Sequence, residues 1–457
     1  MIFEQYYLGC LSQASYLIAD ERTRRAVVVD PRRDIDEYLS AIERHGLKLE
    51  LVIETHFHAD FLSGHLELAA ATGAEVAYGQ GADPEFEWRP LRDGEQISLG
   101  DVVLEIRATP GHTPESISLV VFEHAADVVP FGVLTGDTLF IGDVGRPDLL
   151  SSIGITADEL AGQLYESVHT KLLTLPDATR VYPGHGAGSA CGKSLSTETM
   201  STIGLQRGTN YALAPMSKDE FVAVVTEGQA AAPAYFAFDA AQNRQAHELF
   251  DETAELPALS IGDVLAHQSN GASVLDTRDA GDFALGHLTG SINVGLNGRF
   301  AEYVGAVLDP RVPVVLVSEV GTAREARNRL ARIGFDSVVG ALDEPMRSFV
   351  EHRDAVEPSA RLTVTELEDR IARDVAVQLV DVRGATEREE GSIPSSVAIP
   401  LTELMSRVEE LDRNRPVVVY CGGGYRSMIA SSLLGSRGFT DVSDLVGGFA
   451  AWPGPHG

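Results

Sequence analysis

Cysteine is scarce in this chain, which argues against a fold held by disulfides. Only 3 cysteines occur in 457 residues. The wide spacing of Cys10, Cys191 and Cys421 fits neither a disulfide framework nor a zinc knuckle. No stretch approaches the roughly 18 unbroken apolar residues of a membrane helix, and residues 1–5 lack the basic start of a signal peptide. These features predict a cytoplasmic protein without a membrane partner.

Positive charge is also in short supply. The chain has 36 basic and 67 acidic residues, so its formal net charge is −31 at pH 7. Binding to nucleic acid needs a basic surface that contacts the phosphates, so nucleic acid is not expected as a partner. The hydrophobic content of 44% is ordinary for a globular protein. At about 100–200 residues per domain, the length predicts more than one domain.

The first 245 residues alternate short β-rich runs with helical segments. The runs at 26–30 and 51–55 have the composition of buried strands that end in functional loops. The stretch 242–256 then becomes polar and acidic before Pro257, which indicates a domain boundary. We therefore predict a first domain at 1–245.

Beyond this boundary the chain repeats itself. Three pairs of segments match: 274–278 with 379–383, 314–318 with 417–421, and 332–336 with 437–441. The offset of roughly 100 residues is the size of a small α/β domain. We predict two copies of one domain, at 257–355 and 361–457. Apolar strands followed by helices indicate a mostly parallel sheet, with ligands at the carboxyl ends of its strands.

Four segments of the first domain place histidine or aspartate directly after a β-like run. They are 55–61 (Thr-His-Phe-His-Ala-Asp-Phe), 109–113 (Thr-Pro-Gly-His-Thr), 135–138 (Thr-Gly-Asp-Thr) and 182–186 (Tyr-Pro-Gly-His-Gly). Each can form a loop at a strand end, where ligands converge. A metal site explains this order of residues better than separate histidines that only satisfy polar groups in loops.

The order of these motifs resembles the metallo-β-lactamase superfamily. Segments 54–61 and 145–149 (Gly-Arg-Pro-Asp-Leu) are similar to its persulfide dioxygenase branch. The resemblance implies an αββα sandwich in which His56, His112 and Asp137 bind iron. Two histidines and one carboxylate leave three positions of an octahedral ion open, which suits non-haem Fe(II) that binds substrate and O₂ together. The resemblance therefore implies one Fe(II) per chain.

Phe61 departs from the two-metal hydrolases of that superfamily, which have histidine at this position. Phenylalanine has no lone pair for a metal, so we predict one metal ion. The resemblance aligns His58, Asp60 and His185 with ligands of the missing second ion. We expect them to orient the iron ligands and to hydrogen-bond the substrate.

Three further residues are considered individually. Arg146 lies in the Gly-Arg-Pro-Asp-Leu segment and is a candidate for the substrate environment. Cys191 lies in a loop just after the last histidine motif, so it either helps to receive the substrate or is an incidental loop thiol. Cys10 is expected to be buried.

The last copy carries a loop suited to an activated thiol. Residues 417–420 predict a buried strand that leads into Cys421, and the loop continues with Gly422, Gly423, Gly424, Tyr425 and Arg426. Glycines allow successive N–H groups to face a negative sulfur. The following helix and Arg426 add positive charge. Together these features favour a thiolate at Cys421.

Segments 379–383 and 446–452, together with the loop, resemble the rhodanese family of sulfurtransferases. The Cys-x₄-Arg spacing is shorter than the Cys-x₅-Arg of related phosphatases and suits a sulfane sulfur. The middle copy resembles the same family through 286–293, but Ser318 and Glu319 occupy its loop position. Serine without an adjacent base is a poor nucleophile, and Glu319 would repel an anion. We expect this copy to be an inactive pseudo-rhodanese that acts as a spacer or docking surface.

Taken together, the resemblances imply a bacterial multidomain persulfide dioxygenase–sulfurtransferase of the α/β class. Its expected substrates are a low-molecular-weight thiol persulfide and O₂, which give sulfite. Cys421 would pass sulfane sulfur to sulfite to form thiosulfate, or run in reverse. The alternatives are a two-metal thioester hydrolase of the glyoxalase II kind and a sulfide-responsive sensor. The thiol (glutathione, coenzyme A, bacillithiol or another) and homo-oligomer formation stay open.

Overall fold

The computed structural model describes residues 1–149, 154–229, 232–342, 344–373 and 376–454. The chain divides into two compact units, Met1–Glu252 with Ala331–Gly334, and Thr253–Leu330 with Phe335–Gly457. The two predicted repeats thus share one unit, and the three domain ranges 1–245, 257–355 and 361–457 stay a prediction. Within the described ranges, no helix has the length and apolar character needed to cross a bilayer.

The first unit contains two six-stranded sheets and six α-helices among its described residues. Its strands are β1 (Ile2–Leu8), β2 (Gln13–Ala19), β3 (Arg25–Val29), β4 (Lys48–Ile53), β5 (Glu75–Gly79), β6 (Arg89–Leu91), β7 (Gln96–Ser98), β8 (Val103–Ala108), β9 (Ile117–Phe122), β10 (Gly132–Gly136), β11 (Arg180–Pro183) and β12 (Ser201–Thr202). Its helices are α1 (Asp36–His45), α2 (His65–Thr72), α3 (Ala157–Glu166), α4 (Ile203–Thr209), α5 (Lys218–Thr226) and α6 (Phe236–Gln242). The sheet orders are β1-β2-β3-β4-β5-β6 and β12-β11-β10-β9-β8-β7.

Both faces of each sheet are buried, so the layers run helix, sheet, sheet, helix. On β3, Val27 and Val29 pack in the core between the sheets, whereas Ala26 and Val28 pack against the helical layer with Tyr38 of α1. This division follows from the alternation of side chains along a strand. Burial of a valine-sized side chain contributes about 1.5–3 kcal/mol. The layers confirm the predicted αββα sandwich.

Four strand ends position the loops that carry the predicted ligands. β4 ends at Ile53 before loop 54–61, and β8 ends at Ala108 before the histidine motif at 109–113. β10 and β11 are parallel neighbours, so their carboxyl ends, Gly136 and Pro183, lie side by side. The sheet therefore brings Asp137 close to the motif at 182–186.

The second unit contains two five-stranded sheets of the same topology. Its strands are β13 (Ala258–Leu259), β14 (Ser273–Asp276), β15 (His287–Leu288), β16 (Ile292–Asn293), β17 (Val314–Val317), β18 (Val338–Leu342), β19 (Val356–Glu357), β20 (Ala360–Leu362), β21 (Gln378–Asp381), β22 (Val397–Ala398), β23 (Val417–Tyr420) and β24 (Val442–Leu445). Its helices are α7 (Ile261–Ser269), α8 (Ala280–Leu285), α9 (Phe300–Val307), α10 (Ala323–Ala331), α11 (Pro345–Glu351), α12 (Val364–Ala372), α13 (Ala385–Arg388) and α14 (Tyr425–Ser436). The orders are β13-β18-β17-β14-β16 and β20-β24-β23-β21-β22.

The repeat extends to local detail. All pairings within these two sheets are parallel, as predicted from the apolar strands. The first helix of each copy also starts at a capping box. Ser260 Oγ accepts the Asp263 N–H, and Thr363 Oγ1 accepts the Glu366 N–H. A cap of this kind is worth about 1 kcal/mol.

Candidate metal centre and thiol loop

The rings of His56 and His112 are oriented by hydrogen bonds to their Nδ1 atoms. The Thr55 hydroxyl donates to Asp30 Oδ2 at 2.9 Å, so it accepts the Nδ1–H of His56, also 2.9 Å away. His112 Nδ1 lies 2.8 Å from the carbonyl oxygen of Arg146, which can only accept. Burial lowers the pKa of His56 well below its ordinary value. Both rings therefore keep a lone pair on Nε2, as metal-binding histidines do.

These lone pairs converge on one carboxylate oxygen. Asp137 Oδ2 lies 3.8 Å from His56 Nε2 and 3.6 Å from His112 Nε2. This oxygen is buried and has no hydrogen-bond partner among the described residues, which is costly for an ionised group unless a cation binds it. Two imidazole nitrogens and one carboxylate oxygen within 4.8 Å of one another form a donor set that fits a metal ion.

His185 connects this donor set to a second cluster, which consists of Asp60, His185 and Cys191. Its Nδ1 donates to Asp137 Oδ1 at 2.8 Å, and its Nε2 lies 2.7 Å from Asp60 Oδ2. Burial opposes a charged ring, but the carboxylates of Asp137 and Asp60 outweigh it and raise the pKa of His185 well above its ordinary value. His185 can therefore hold a proton beside the metal donor set.

Cys191 belongs to this second cluster. Its sulfur lies within 4.8 Å of ligand atoms of Asp60 and His185, and the side chain is buried. Burial raises the pKa of the Cys191 thiol well above its ordinary value, and the nearby Asp60 and Asp137 raise it further. Both effects favour the protonated thiol over the thiolate.

His58 contacts a different pair of carboxylates. Its Nε2 lies 3.2 Å from Asp30 Oδ1 and 3.3 Å from Glu54 Oε2, and the Phe61 ring packs 4.3 Å from the His58 ring, measured between centroids. Burial favours the neutral ring, but Asp30 and Glu54 raise the pKa of His58 to about 10. From the sequence we expect His58 to act together with Asp60, whereas the structure places it beside the carboxylates of Asp30 and Glu54, for which we predicted no role.

Two glycines permit the close approach of the strand ends. A Cβ atom on Gly184 would lie 2.6 Å from Asp137 Oδ1. Gly136 has a φ of 47°, and a Cβ atom there would lie 2.6 Å from Thr55 Oγ1. Any other residue at these positions would displace a predicted ligand or the threonine that orients one.

Arg146 is held by its neighbours behind His112. Its Nε and Nη2 donate to the two carboxylate oxygens of Asp148, each at 2.7 Å. Its Nη1 donates to the carbonyl of Ala190 at 3.2 Å, and its backbone N–H to the carbonyl of Cys191 at 3.0 Å. These contacts join two loops and fix the carbonyl that orients His112.

A cavity of about 490 Å³ opens beside the metal donor set. His112, Phe57 and Ala59 line it on one side. The segment that leads into α6, and α6 itself, contribute five alanines: Ala232, Ala234, Ala237, Ala240 and Ala241. Asp148 and Arg244 also line the cavity. Its volume lies within the range of small-molecule sites.

The second candidate site surrounds Cys421, directly after β23. The Gly424 N–H donates to Cys421 Sγ at 3.1 Å, and Ser427 Oγ lies 3.7 Å from the same sulfur. The loop is fastened at its base, because Phe449 N–H donates to the carbonyl of Cys421 at 2.7 Å. A Cβ atom on Gly448 would lie 2.3 Å from that carbonyl oxygen. The structure thus joins the loop to the segment 446–452.

Arg426 forms an ion pair that we did not predict from the sequence. Its Nη1 and Nη2 donate to the two carboxylate oxygens of Glu387 at 2.6 and 2.5 Å. These hydrogen bonds lower the pKa of Glu387 below its ordinary value. The charge that was expected to act on Cys421 is therefore largely shared with a carboxylate. No local pattern indicates this pair, because Glu387 lies on α13, 39 residues before Arg426 in the chain.

The middle copy contributes a wall to a cavity beside the thiol loop. This cavity, about 560 Å³, is lined by Gly423, Gly424 and Tyr425 and, from the middle copy, by residues that include Asn293 and Gly295. The Tyr425 hydroxyl donates to the carbonyl of Gly295 at 2.5 Å. The middle copy therefore fixes one residue of the thiol loop, which no sequence pattern indicated.

At the loop position of the middle copy, the described residues place no histidine or carboxylate within hydrogen-bond distance of the serine hydroxyl. Ser318 is buried, and its Oγ accepts a hydrogen bond of 2.8 Å from Thr277 Oγ1. Glu319 is exposed. These contacts are compatible with the expectation that this copy is inactive.

The expectation that Cys10 is buried is wrong. Cys10 is partly exposed, because it lies in the turn after β1 and not in a core strand.

Family models match most of both units. A model of the metallo-beta-lactamase superfamily matches residues 8–185, and a model of the rhodanese-like domain matches residues 260–352 and 363–454. The chain is 32% identical over 213 residues to the mitochondrial persulfide dioxygenase ETHE1 of Bos taurus, across 46% of this chain and 75% of the bovine protein. It is 31% identical over 215 residues to the Homo sapiens protein of that name, with the same coverage.

A solved structure extends the similarity into the second unit. The crystal structure of a metallo-beta-lactamase from Staphylococcus aureus subsp. aureus COL superposes with a TM-score of 0.67 at 32% sequence identity. The match covers 74% of this chain and 98% of the staphylococcal one. The similarity therefore exceeds a single domain.

Proposed function

Because this chain belongs to the persulfide dioxygenase family of the metallo-β-lactamase superfamily and continues into two rhodanese-like domains, we propose that it oxidises low-molecular-weight thiol persulfides with O₂ and transfers sulfane sulfur through Cys421. The overall oxidation is R–S–SH + O₂ + H₂O → R–SH + SO₃²⁻ + 2 H⁺. The observation that carries the proposal is the convergence of His56, His112 and Asp137 beside a cavity of small-molecule size.

The donor set suits one Fe(II) ion per chain. His56, His112 and Asp137 would hold it, and bound Fe(II) would supply coordination positions for the persulfide sulfur and O₂ together. Thr55 and the Arg146 carbonyl keep both imidazoles in the tautomer that this requires.

The surrounding residues would bind substrate and manage protons. The alanine-lined wall of the cavity would take the uncharged part of the thiol. His185, between Asp137 and Asp60, would hold a proton close to the reacting sulfur. Phe61 is fully buried against His58 and would exclude water from the position of a second ion.

Cys421 would carry the sulfur in two balanced steps. Its thiolate attacks the outer sulfur of R–S–SH, so that the S–S bond of this persulfide breaks, Cys–S–SH forms and the thiolate R–S⁻ leaves. Sulfite then takes that outer sulfur, which gives thiosulfate and restores the thiol. The N–H of Gly424 would stabilise the sulfur anion. Linking the two sites in one chain raises the effective concentration of sulfite near the persulfide.

The variant His112→Ala tests the oxidative half. Iron content by elemental analysis and persulfide-dependent oxygen uptake should both fall to background, whereas sulfur transfer from thiosulfate should remain. The wild-type chain should contain one iron. Two zinc ions per wild-type chain would overturn the assignment.

A two-metal thioester hydrolase is the second candidate. It is favoured by one observation, since ligand atoms of Asp60, His185 and Cys191 also lie within 4.8 Å of one another. Phe61 counts against it, because this position offers no ligand. Thioester hydrolysis that depends on added zinc would support this candidate.

A further inference from the structure

The cavity beside the metal donor set contains a cation with no matching anion. Arg244 lines the cavity and is partly exposed. Its guanidinium lies over the Phe57 ring, with Cζ 4.8 Å from the centroid. Within the described ranges no carboxylate forms an ion pair with it. This is notable in a chain with 67 acidic and 36 basic residues.

The other charged lining residue does not compete for this cation. Both carboxylate oxygens of Asp148 accept hydrogen bonds from Arg146 at 2.7 Å. The remaining wall near Arg244 is made of small apolar side chains, among them Ala240 and Ala241. The cavity therefore offers one unneutralised positive charge in apolar surroundings, where an ionic hydrogen bond is strong.

The position of Arg244 relates this charge to the reaction centre. Phe57, on which Arg244 stacks, directly follows His56, and His112 lines the same cavity. A molecule that places its sulfur at the metal donor set can therefore extend along the alanines towards Arg244. An arginine fork pairs with the planar oxygens of a carboxylate or with phosphate oxygens.

We propose that Arg244 determines specificity by binding an anionic group, carboxylate or phosphate, on the thiol that carries the persulfide. The alanine wall accommodates the uncharged stretch between this group and the sulfur. The inference rests on the proposed function and adds the substrate class: anionic thiol persulfides are preferred to neutral ones of the same shape.

The test uses two matched pairs of thiols as probes. Glutathione and its diethyl ester differ in carboxylate charge, and 4′-phosphopantetheine and pantetheine differ in one phosphate. The persulfide of each is assayed by oxygen uptake with wild type, Arg244→Ala and Arg244→Lys. Arg180→Ala is the control, because Arg180 also stacks on a phenylalanine, with Cζ 4.6 Å from the Phe131 centroid, but does not line the cavity.

Arg244→Ala should raise KM about 10- to 100-fold for the anionic member of one pair, as expected for a lost ionic hydrogen bond. The kcat should change less than twofold, and the neutral member should be affected far less. Lysine should restore part of the affinity. The pair that responds identifies a carboxylate or a phosphate as the anion.

An equal loss on the charged and neutral members would overturn the inference, because it would mean that Arg244 only packs against Phe57. Calorimetric binding of the four parent thiols gives a second readout that needs no turnover. If no persulfide is oxidised but anionic thiol binding still depends on Arg244, the proposed function fails and the anion site stands. Anionic binding that is unchanged in Arg244→Ala would refute the site itself.

Discussion

Arg426, which follows Cys421 by five residues in the chain, donates to both carboxylate oxygens of Glu387, at 2.6 and 2.5 Å. The pair leaves the Gly424 N–H as the direct donor to the sulfur. We therefore expect Arg426 to act on Cys421 as a partly neutralised charge and to hold α13 against the loop.

We expect Arg426→Ala to slow sulfur transfer by about tenfold without abolishing it, well below the 100-fold or greater cost of removing a direct donor. Glu387→Gln should have a smaller effect, because one hydrogen bond to Arg426 can remain. Rates of thiosulfate:cyanide sulfur transfer measure both. Complete loss of transfer in Arg426→Ala would show that the arginine contacts the reacting sulfur directly.

The product of the whole chain should depend on Cys421. Cys421→Ser should leave persulfide-dependent oxygen uptake largely intact, since the metal donors are other residues. Its product should change from thiosulfate to sulfite, as measured by thiol labelling and chromatography. Ser318→Ala serves as the matched control and should change neither rate nor product. Enzymatic thiosulfate from Cys421→Ser, above the background reaction, would point to Cys191 as an alternative carrier.

Phe61 should limit the chain to one metal ion. Phe61→His places an imidazole next to His58, whose ring now packs on Phe61 at 4.3 Å between centroids. We expect zinc to accumulate in this variant beyond the wild-type ratio, as measured by elemental analysis. Phe61→Leu disturbs the same packing without adding a ligand and should not gain zinc. A wild-type metal ratio in Phe61→His would show that the missing ligand is not what excludes the second ion.

Asp20 should make the first unit sensitive to acid. Its Oδ1 accepts the N–H groups of Arg22 and Thr23 at 3.0 and 2.8 Å, and its Oδ2 those of Asp101 and Val102 at 2.6 and 3.2 Å. Burial alone would raise the pKa of Asp20, but these hydrogen bonds outweigh it and lower the pKa below its ordinary value of 3.8. The ionised carboxylate thus joins two turns.

Because the folded-state pKa of Asp20 is depressed, its stabilisation is present above about pH 4 and is lost as the pH falls towards the folded-state pKa. Asp20→Asn should lower stability at pH 7 by about 1–3 kcal/mol and should weaken the acid dependence. Thermal unfolding between pH 7 and pH 3 measures this. The control is Asp83→Asn, because Asp83 is exposed. Equal pH profiles for Asp20→Asn and wild type would contradict the prediction.

The amount that the sequence could predict differs between the two sites. Each metal motif predicted its own strand-end loop, because the residues that follow a strand are local in the chain. The same local reasoning placed Cys421 after β23 and indicated two copies of one parallel domain. It could not assign hydrogen-bond partners, so Arg146 was expected near substrate, although its guanidinium binds Asp148 and Ala190.

The sequence by itself determined the fold classes, the repeat, the order of the metal motifs and the nature of the thiol loop, since these depend on periodicity, residue type and short spacing. Only the tertiary structure decided which carboxylates surround His58, that Glu387 pairs with Arg426, and that Arg244 lines the cavity beside His112. These relationships join residues from separate elements. Their distances are set by how strands and helices pack, and the periodicity of one element does not specify which residues of another element it contacts.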